Sequence, residues 1–308
     1  MTDAPILYLQ HPSRVAAWSA VLRELAPALD VRVWPEPLPS GRPVYALVWR
    51  PPPGLFASIP GLKGVFALGA GVDDLMTRTD LPADIPLVRL TDAGMARQMV
   101  EYVLFGVLRF QRDFDAYARD QASALWRPQP PRASADVRVL VLGLGELGAQ
   151  VAQTLAEFGY AVTGWSRSPK MIEGVDCIHG LDALDAQLPA TDVLAAILPS
   201  TPQTRGLLDG ERLERLAAGA GVINVGRGDL IDIEALCRLL DNGHLRGALL
   251  DVLPAEPPAP DSPLWGRTDI LLTPHVAATT LPYPAARQIL GKLEDLRNGK
   301  AIRGVMAR

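Results

Sequence analysis

Two residues with acid–base or anion-binding chemistry stand directly after strand-like apolar segments. Arg227 lies between two glycines, and His275, one of four histidines in the chain, follows a proline. A guanidinium can hold a planar carboxylate through two parallel hydrogen bonds, and an imidazole can transfer a proton near neutral pH. Each residue also has a plainer interpretation, as a surface arginine in a turn or as a structural histidine. Together they predict a site that binds an anion and moves a proton.

A glycine motif with the sequence G-x-G-x-x-G follows the apolar run at 139–142 and opens a helical pattern. Strand, glycine turn and helix in this order are typical of a dinucleotide-binding unit. Gly143 would permit the tight turn, Gly145 would let the backbone approach a pyrophosphate, and Gly148 would let the helix pack closely. The first helical residues, Glu146 and Leu147, would present N–H groups and the positive dipole end to the phosphates. An ordinary βα turn is disfavoured by this context.

The next predicted strand, at 161–165, ends without an acidic residue. An NAD-specific unit carries Asp or Glu near this point to bind the ribose 2′-hydroxyl, whereas Ser166, Arg167, Ser168 and Lys170 occupy it here. Hydroxyl and cationic groups suit a 2′-phosphate dianion, which a carboxylate would repel. The segment therefore predicts NADP(H), with NAD(H) left open. The alternative is that the two cations belong to a solvated turn.

Strand and helix patterns alternate along the chain, which predicts an α/β fold with two doubly wound parallel sheets. The N-terminal part precedes one long helical pattern at 94–119, and a last helix at about 282–297 is expected to return to it. We expect a flavodoxin-like substrate domain formed by residues 1–98 and 277–308, a Rossmann domain at 99–276, and a cleft between them. The other predicted strands lie at 6–9, 31–34, 45–49, 63–68, 193–198, 221–225, 247–252 and 270–273.

Composition disfavours several functional classes. The 308 residues are 48% hydrophobic with a formal net charge of −4, and no basic run interleaved with aromatic residues indicates nucleic-acid binding. No apolar stretch reaches the ~20 residues of a membrane span, and no signal-peptide pattern is visible. Cys177 and Cys237 lack metal-ligand spacing and are interpreted as free thiols of a reducing compartment. We expect a cytoplasmic protein without a metal.

Four motifs, at 143–148, 224–228, 251–257 and 273–275, occur in the order found in the D-isomer-specific 2-hydroxyacid dehydrogenases. The sequence resembles that family along essentially its whole length. Within the family it is most similar to the glyoxylate/hydroxypyruvate reductase A group. The segments that carry this closer similarity are 48–52, 94–102, 165–170 and 262–265.

The resemblance implies an NADPH-dependent reductase of small 2-oxoacids, glyoxylate and hydroxypyruvate first. Arg227 would hold the carboxylate and carbonyl of the oxoacid, and His275 would protonate the carbonyl oxygen as hydride arrives. Glu256 would hydrogen-bond His275 and favour its charged form.

Further contacts are implied by the same resemblance. Asp251 resembles the residue that contacts the nicotinamide carboxamide, although capping a turn explains it nearly as well. Trp126 resembles part of a homodimer contact, or else fills a core. Additional cofactor contacts are expected from Leu198, Pro199, Val225 and Gly226. Substrate contacts are expected from Trp49, Arg50, Ala70 and Gly71, although Trp49 could equally be a core residue and Arg50 a rim charge.

Two alternatives stay open. One is an NAD(H)-dependent D-2-hydroxyacid dehydrogenase acting on another substrate, of the phosphoglycerate or phenylpyruvate type. The other is a nucleotide-sensing scaffold, because corepressors that share the fold keep the same Arg, Glu and His. A formate dehydrogenase is disfavoured, because that pattern pairs the histidine with glutamine and Glu256 is an acid. Turnover distinguishes enzyme from scaffold.

Overall fold

The computed structural model describes residues 4–307. They divide into two compact units, one formed by residues up to 95 together with those from 279 onward, the other by residues 96–278. Each unit is built on one parallel sheet, of five strands in the first unit and seven in the second. The predicted α/β fold with two parallel sheets is therefore confirmed.

The first unit consists of β1 (Ile6–Gln10), α1 (Val15–Leu25), β2 (Asp30–Val33), β3 (Val44–Val48), β4 (Leu62–Ala67), α2 (Asp73–Met76), β5 (Leu87–Val88) and the C-terminal helix (Pro282–Arg297). Its strand order is β2-β1-β3-β4-β5, and every pair is parallel. All residues of β1 and β3 are buried, as expected for parallel strands covered on both faces. The predicted helix at 282–297 is confirmed and packs against α1.

The second unit begins with α3 (Met95–Gln111), α4 (Phe114–Ala122), β6 (Arg138–Leu142), α5 (Glu146–Glu157), β7 (Ala161–Ser166), β8 (Asp176–His179), α6 (Leu181–Gln187) and β9 (Val193–Ala196). They are followed by α7 (Gly210–Glu214), β10 (Ala220–Asn224), α8 (Ile233–Asp241), β11 (Leu245–Leu250) and β12 (Ile270–Leu272). The strand order is β12-β11-β10-β9-β6-β7-β8, again with parallel pairs throughout.

Strand β6 shows how this sheet is covered on both faces. Successive side chains of a strand point to opposite faces, and Leu140 and Leu142 join a core cluster with α6 and α8. Val139 and Val141 join a different cluster with α3 and α5. The strand order reverses between β6 and β9, and the carboxyl ends of strands at such a point form the ligand crevice of doubly wound folds.

The single long helix predicted at 94–119 is wrong, because the structure breaks it into α3 and α4. Asp113 stands at the break with a left-handed φ of +54°. The Arg246 guanidinium on β11 donates to Asp113 Oδ1 at 2.8 Å and to Asp115 Oδ1 at 2.6 Å. These ion pairs with a distant strand outweigh the local preference of the segment for one continuous helix.

Strands β5 and β8 were not among the predicted strands. Strand β5 has only two residues, and β8 has a polar, exposed residue at each end, so neither carries the apolar run that indicates a strand. Within residues 4–307, no helix has both the length and the apolar character that crossing a membrane requires.

Candidate active site

The glycine turn after β6 has the geometry that a dinucleotide needs. Gly143 has a φ of +105°, and a Cβ atom at Gly148 would lie 1.8 Å from the Gly143 carbonyl oxygen. Only glycine at position 148 therefore lets α5 begin this close to the strand. No atom lies within 4 Å of where a Cβ of Gly145 would stand, so the backbone is open to a ligand there. The first turn of α5, at Glu146 and Leu147, supplies N–H groups without intrahelical acceptors.

The turn after β7 exposes its positive charges. Arg167, Ser168 and Lys170 are exposed, whereas Ser166 is buried. The Ser166 hydroxyl donates to the Ser168 carbonyl oxygen at 2.7 Å, so its proton is already used in a hydrogen bond within the turn. The residues of this turn fit a 2′-phosphate, with the two exposed cations as the groups able to neutralise it.

A buried asparagine shapes the loop that carries Arg227. Asn224 is fully buried, and its Nδ2 donates to the Arg227 carbonyl oxygen at 2.9 Å while its Oδ1 accepts from the Gly226 amide at 3.1 Å. The Arg227 guanidinium also donates to the Gly226 carbonyl oxygen at 2.7 Å. The backbone on both sides of Arg227 is thus held by one side chain from the end of β10.

The two glycines beside Arg227 are required by packing against neighbouring loops. A Cβ at Gly226 would lie 2.6 Å from the Leu198 carbonyl oxygen, and one at Gly228 would lie 1.9 Å from the Leu253 carbonyl carbon. The loop is therefore wedged between the segments that follow β9 and β11. This packing argues against the interpretation of Arg227 as an arginine in an unconstrained surface turn.

His275 and Glu256 form an ion-pair geometry, with His275 Nδ1 2.8 Å from Glu256 Oε2. Because a carboxylate is an acceptor, Nδ1 carries the hydrogen of this contact, which makes Nε2 the ring nitrogen suited to proton exchange. Glu256 is itself oriented by the Leu253 amide, which donates to Oε1 at 3.3 Å. The side chains are 37% and 26% exposed, so solvent and small ligands can reach the pair.

Asp251 holds the turn on which His275 stands. This buried carboxylate accepts from the Thr273 hydroxyl at 2.5 Å and from the amides of Val276 and Ala277, each at 2.8 Å. The His275 amide donates to the Asp251 carbonyl oxygen at 2.9 Å, and His275 has a φ of +57°. A left-handed backbone is unfavourable for a residue with a side chain, so these hydrogen bonds stabilise it. The turn-capping interpretation of Asp251 is what the contacts support.

Tyr102, which was not among the predicted site residues, extends this network from α3. Its hydroxyl lies 2.5 Å from Thr273 Oγ1, and it must be the donor because Thr273 gives its own proton to Asp251. Burial raises the pKa of Tyr102 to about 12, which keeps this donor protonated. Tyr102 and Thr273 stand in segments that carry the family resemblance, but no local pattern shows that their hydroxyl groups meet, whereas Asn224 could have been identified as an asparagine before a glycine turn.

The remaining predicted cofactor residues lie where β9 and β10 end. Leu198 and Val225 are buried and Pro199 is exposed. The Pro199 carbonyl oxygen accepts from Thr204 Oγ1 at 2.6 Å, which orders the loop. Because β9 and β10 are neighbours, Leu198, Pro199, Val225 and Gly226 share one edge of the sheet with Arg227.

The predicted substrate residues of the first unit lie after β3 and β4, which are also neighbours. Trp49 is half-buried, and a Cβ at Gly69 would lie 2.3 Å from its Cζ3. Arg50 is exposed, and its Cζ lies 5.9 Å from the Trp49 ring centroid. Ala70 and Gly71 follow Gly69 and are partly exposed. The loops that carry these four residues are therefore in contact.

Comparison with known proteins identifies the family of this chain. Residues 104–277 match the NAD-binding domain of the D-isomer specific 2-hydroxyacid dehydrogenases. The chain is 42% identical over 294 residues to glyoxylate/hydroxypyruvate reductase A of Serratia proteamaculans, with 94% of each chain covered.

Two solved structures are similar over 98% of both chains. A D-isomer specific 2-hydroxyacid dehydrogenase from Xanthobacter autotrophicus Py2, in complex with NADPH and MES, is 43% identical with a TM-score of 0.94. An NADPH-dependent glyoxylate/hydroxypyruvate reductase from Sinorhizobium meliloti, in complex with NADP and sulfate, is 34% identical with a TM-score of 0.91. The predictions of the family, of its reductase A group and of an enzyme are confirmed. This chain belongs to the D-isomer-specific 2-hydroxyacid dehydrogenases, a family of NAD(P)-dependent oxidoreductases.

Proposed function

We propose that this protein reduces small 2-oxoacids, glyoxylate and hydroxypyruvate, to 2-hydroxyacids with NADPH. The observation that carries the proposal is the 2.8 Å contact between His275 and Glu256. It stands on the sheet edge that also carries the Arg227 loop and the glycine turn after β6. The relatives described as glyoxylate/hydroxypyruvate reductases support the choice of substrate.

The cofactor, when bound, would supply the hydride that reduces the carbonyl carbon. His275 would donate the proton from Nε2 to the carbonyl oxygen, so that hydride and proton together give the hydroxyl group. The Glu256 carboxylate would stabilise the imidazolium before this transfer and keep the ring oriented through Nδ1. The Asp251 hydrogen bonds to the turn at 273–277 would keep Nε2 directed at the same point.

Binding of the oxoacid would rest on cations and backbone amides. The Arg227 guanidinium would hold the carboxylate and the carbonyl oxygen, since its planar fork matches two acceptors. We assign further carboxylate contacts to the backbone N–H groups of Ala70 and Gly71 and to the side chains of Trp49 and Arg50.

For the cofactor, we infer a preference for NADP(H) over NAD(H). The pyrophosphate would lie on the turn at Gly143, Gly145 and Gly148 and on the first turn of α5. Arg167 and Lys170 would bind the 2′-phosphate, because the Ser166 proton is already used within the turn. The segments at 198–199 and 225–226 would flank the cofactor, and Asp251 would lie beside its nicotinamide. The relatives in complex with NADPH or NADP support this assignment.

We further propose that the protein is a homodimer. Trp126 is 99% exposed, and a large apolar side chain in full contact with water is a common sign of an interface. Phe105, Phe114 and Leu125 are also exposed on α3, α4 and the segment after them. A cytoplasmic location is supported by the two free cysteines, because disulfides are rare in that compartment.

The proposed reaction is tested by following oxidation of NADPH and of NADH with glyoxylate, hydroxypyruvate, phenylpyruvate and 3-phosphohydroxypyruvate. We expect fast turnover with NADPH and the two smallest acids. Preference for NADH would contradict the cofactor assignment, and preference for a bulky acid would contradict the substrate assignment. Failure to turn over any of the four would contradict the reaction and favour a nucleotide-sensing scaffold.

The role of His275 is tested by His275→Ala. Loss of a general acid should lower kcat by about 10²- to 10⁴-fold, while the Kd for NADPH, measured by fluorescence titration, stays near that of the wild type. His244→Ala is a matched control, because His244 directly precedes β11 and therefore lies at the edge of the sheet opposite the proposed site. Full activity of the His275 variant would show that the assignment is wrong.

The 2′-phosphate assignment predicts that Arg167→Ala raises the KM for NADPH by about 10- to 100-fold, the value of one hydrogen bond to a charged group. The KM for NADH should hardly change, because NADH lacks the phosphate. Arg215→Ala removes an exposed arginine elsewhere in the second unit and should change neither KM. An equal loss with both cofactors would argue that Arg167 has a general structural role instead.

The dimer is tested by sedimentation velocity of Trp126→Ser. We expect the wild type to sediment as a dimer and the variant to dissociate at micromolar concentration, because removal of a large aromatic anchor weakens an interface most. Phe158→Ser, at an aromatic residue that is 52% exposed at the end of α5, should leave the dimer intact. A wild type that is monomeric at all concentrations would exclude the proposal.

A further inference from the structure

The loop after β3 combines a run of prolines with an unusual backbone conformation at the residue before them. Arg50 is followed by Pro51, Pro52 and Pro53, which have no N–H group and can be held only through their carbonyl oxygens. Arg50 itself has a φ of +46°. A residue before proline normally adopts an extended backbone, and a positive φ is uncommon for any residue with a side chain. Contacts from elsewhere must therefore stabilise this conformation.

Arg78 supplies those contacts from the segment after α2. Its Nη1 donates to the Pro51 carbonyl oxygen at 3.0 Å and its Nη2 to the Pro52 carbonyl oxygen at 2.7 Å. The same guanidinium lies over the Phe56 ring, with Cζ 5.3 Å from the centroid. One side chain thus binds three of the six residues that follow Arg50.

Asp80 completes the arrangement from the other side of the guanidinium. Its two oxygens accept from Arg78 Nε and Nη2, each at 2.7 Å, and Oδ2 also accepts from the Phe56 amide at 3.3 Å. Each side chain is only 17% exposed. The Arg78 guanidinium holds the pKa of Asp80 below its usual range, so the pair remains charged at neutral pH.

We propose that Arg78 is a positioning residue for the oxoacid and determines its KM by holding the conformation of Arg50 and Trp49. The contact between Trp49 and the loop at Gly69 links this loop to the one that carries Ala70 and Gly71. A shift at Pro51 and Pro52 would therefore move both sets of proposed substrate contacts. The inference rests on the proposed function, because it assumes that these residues bind the oxoacid carboxylate.

The test compares Arg78→Met with the wild type, using NADPH and glyoxylate. We expect the KM for glyoxylate to rise about tenfold, while kcat per folded enzyme and the KM for NADPH remain close to the wild-type values. Arg78→Lys retains the positive charge but not the planar guanidinium with its several N–H donors, so the KM of this variant for glyoxylate should be intermediate. A fall in kcat with an unchanged KM for glyoxylate would overturn the proposal.

A matched control exists in the same unit. Arg32 on β2 forms a comparable pair with the aspartate two residues before it, Asp30, at 2.9 Å from Nε. Strand β2 is separated from β3 by β1, so Arg32→Met should leave both KM values unchanged. If Arg78→Met and Arg32→Met raised the KM for glyoxylate equally, general destabilisation would explain the effect, and the proposal would be contradicted.

A double-mutant comparison of Arg50 and Arg78 tests most directly whether Arg78 acts through Arg50. Arg50→Ala should raise the KM for glyoxylate by itself, and adding Arg78→Met should raise it by a smaller factor than in the wild type, because part of the effect of Arg78 is exerted through Arg50. Fully additive effects would overturn the proposal.

Hydrogen exchange provides a readout that needs no turnover. In Arg78→Met the amides at 54–58, which include the Phe56 amide bonded to Asp80, should exchange faster, while those of β1 should not. Unchanged exchange at 54–58 would overturn the proposal even if the wild type is an active reductase. Faster exchange in a protein that reduces none of the oxoacids would instead identify the proposed function as the part that is wrong.

Discussion

The proposed chemistry of the second unit depends on one constraint: the carboxyl ends of parallel strands all lie at the same edge of the sheet. The glycine turn, the cationic turn, the Arg227 loop, Asp251 and the His275 turn each follow a different strand of one seven-stranded sheet. Residues that are far apart in the sequence therefore meet at this edge without any need for a special contact to bring them there. The reversal of strand order between β6 and β9 opens that edge to a ligand.

Crowding at such an edge creates a second requirement, because loops that approach this closely bury backbone polar groups. A buried donor or acceptor without a partner costs about 1–3 kcal/mol. The structure avoids this cost with side chains that hydrogen-bond the buried backbone groups and take no part in the proposed proton transfer. Asn224 satisfies the backbone around Arg227, and Asp251 satisfies the turn that carries His275. In the first unit Arg78 does the same for two proline carbonyls. Glycine at 148, 226 and 228 removes the Cβ atoms that would keep these segments apart.

Local patterns were sufficient for much of the fold and for part of the candidate site. Alternating apolar runs predicted the parallel α/β architecture. The helix at 282–297 was predicted within its bounds because Pro282 at its first position and Asn298-Gly299 after its last are local signals. The long helix at 94–119 was wrong because Arg246, on a strand more than 100 residues away, pairs with Asp113 and Asp115. Strand β5 gave no signal because it has only two residues, and β8 gave none because a polar, exposed residue stands at each of its ends.

The sequence by itself determined the features that depend on chain neighbours. These are the glycine turn before α5, the absence of an acid after β7, and the glycines that flank Arg227. Only the tertiary structure decided which nitrogen of His275 is bound by Glu256, that Asp251 and Tyr102 support the same turn, and that Arg78 holds the segment after Arg50. The physical reason is separation along the chain: Tyr102 and Thr273 are 171 positions apart, and Arg78 and Pro51 are 27 apart. Backbone preference acts between neighbours, whereas a hydrogen bond between distant residues exists only once the fold has brought its two atoms together.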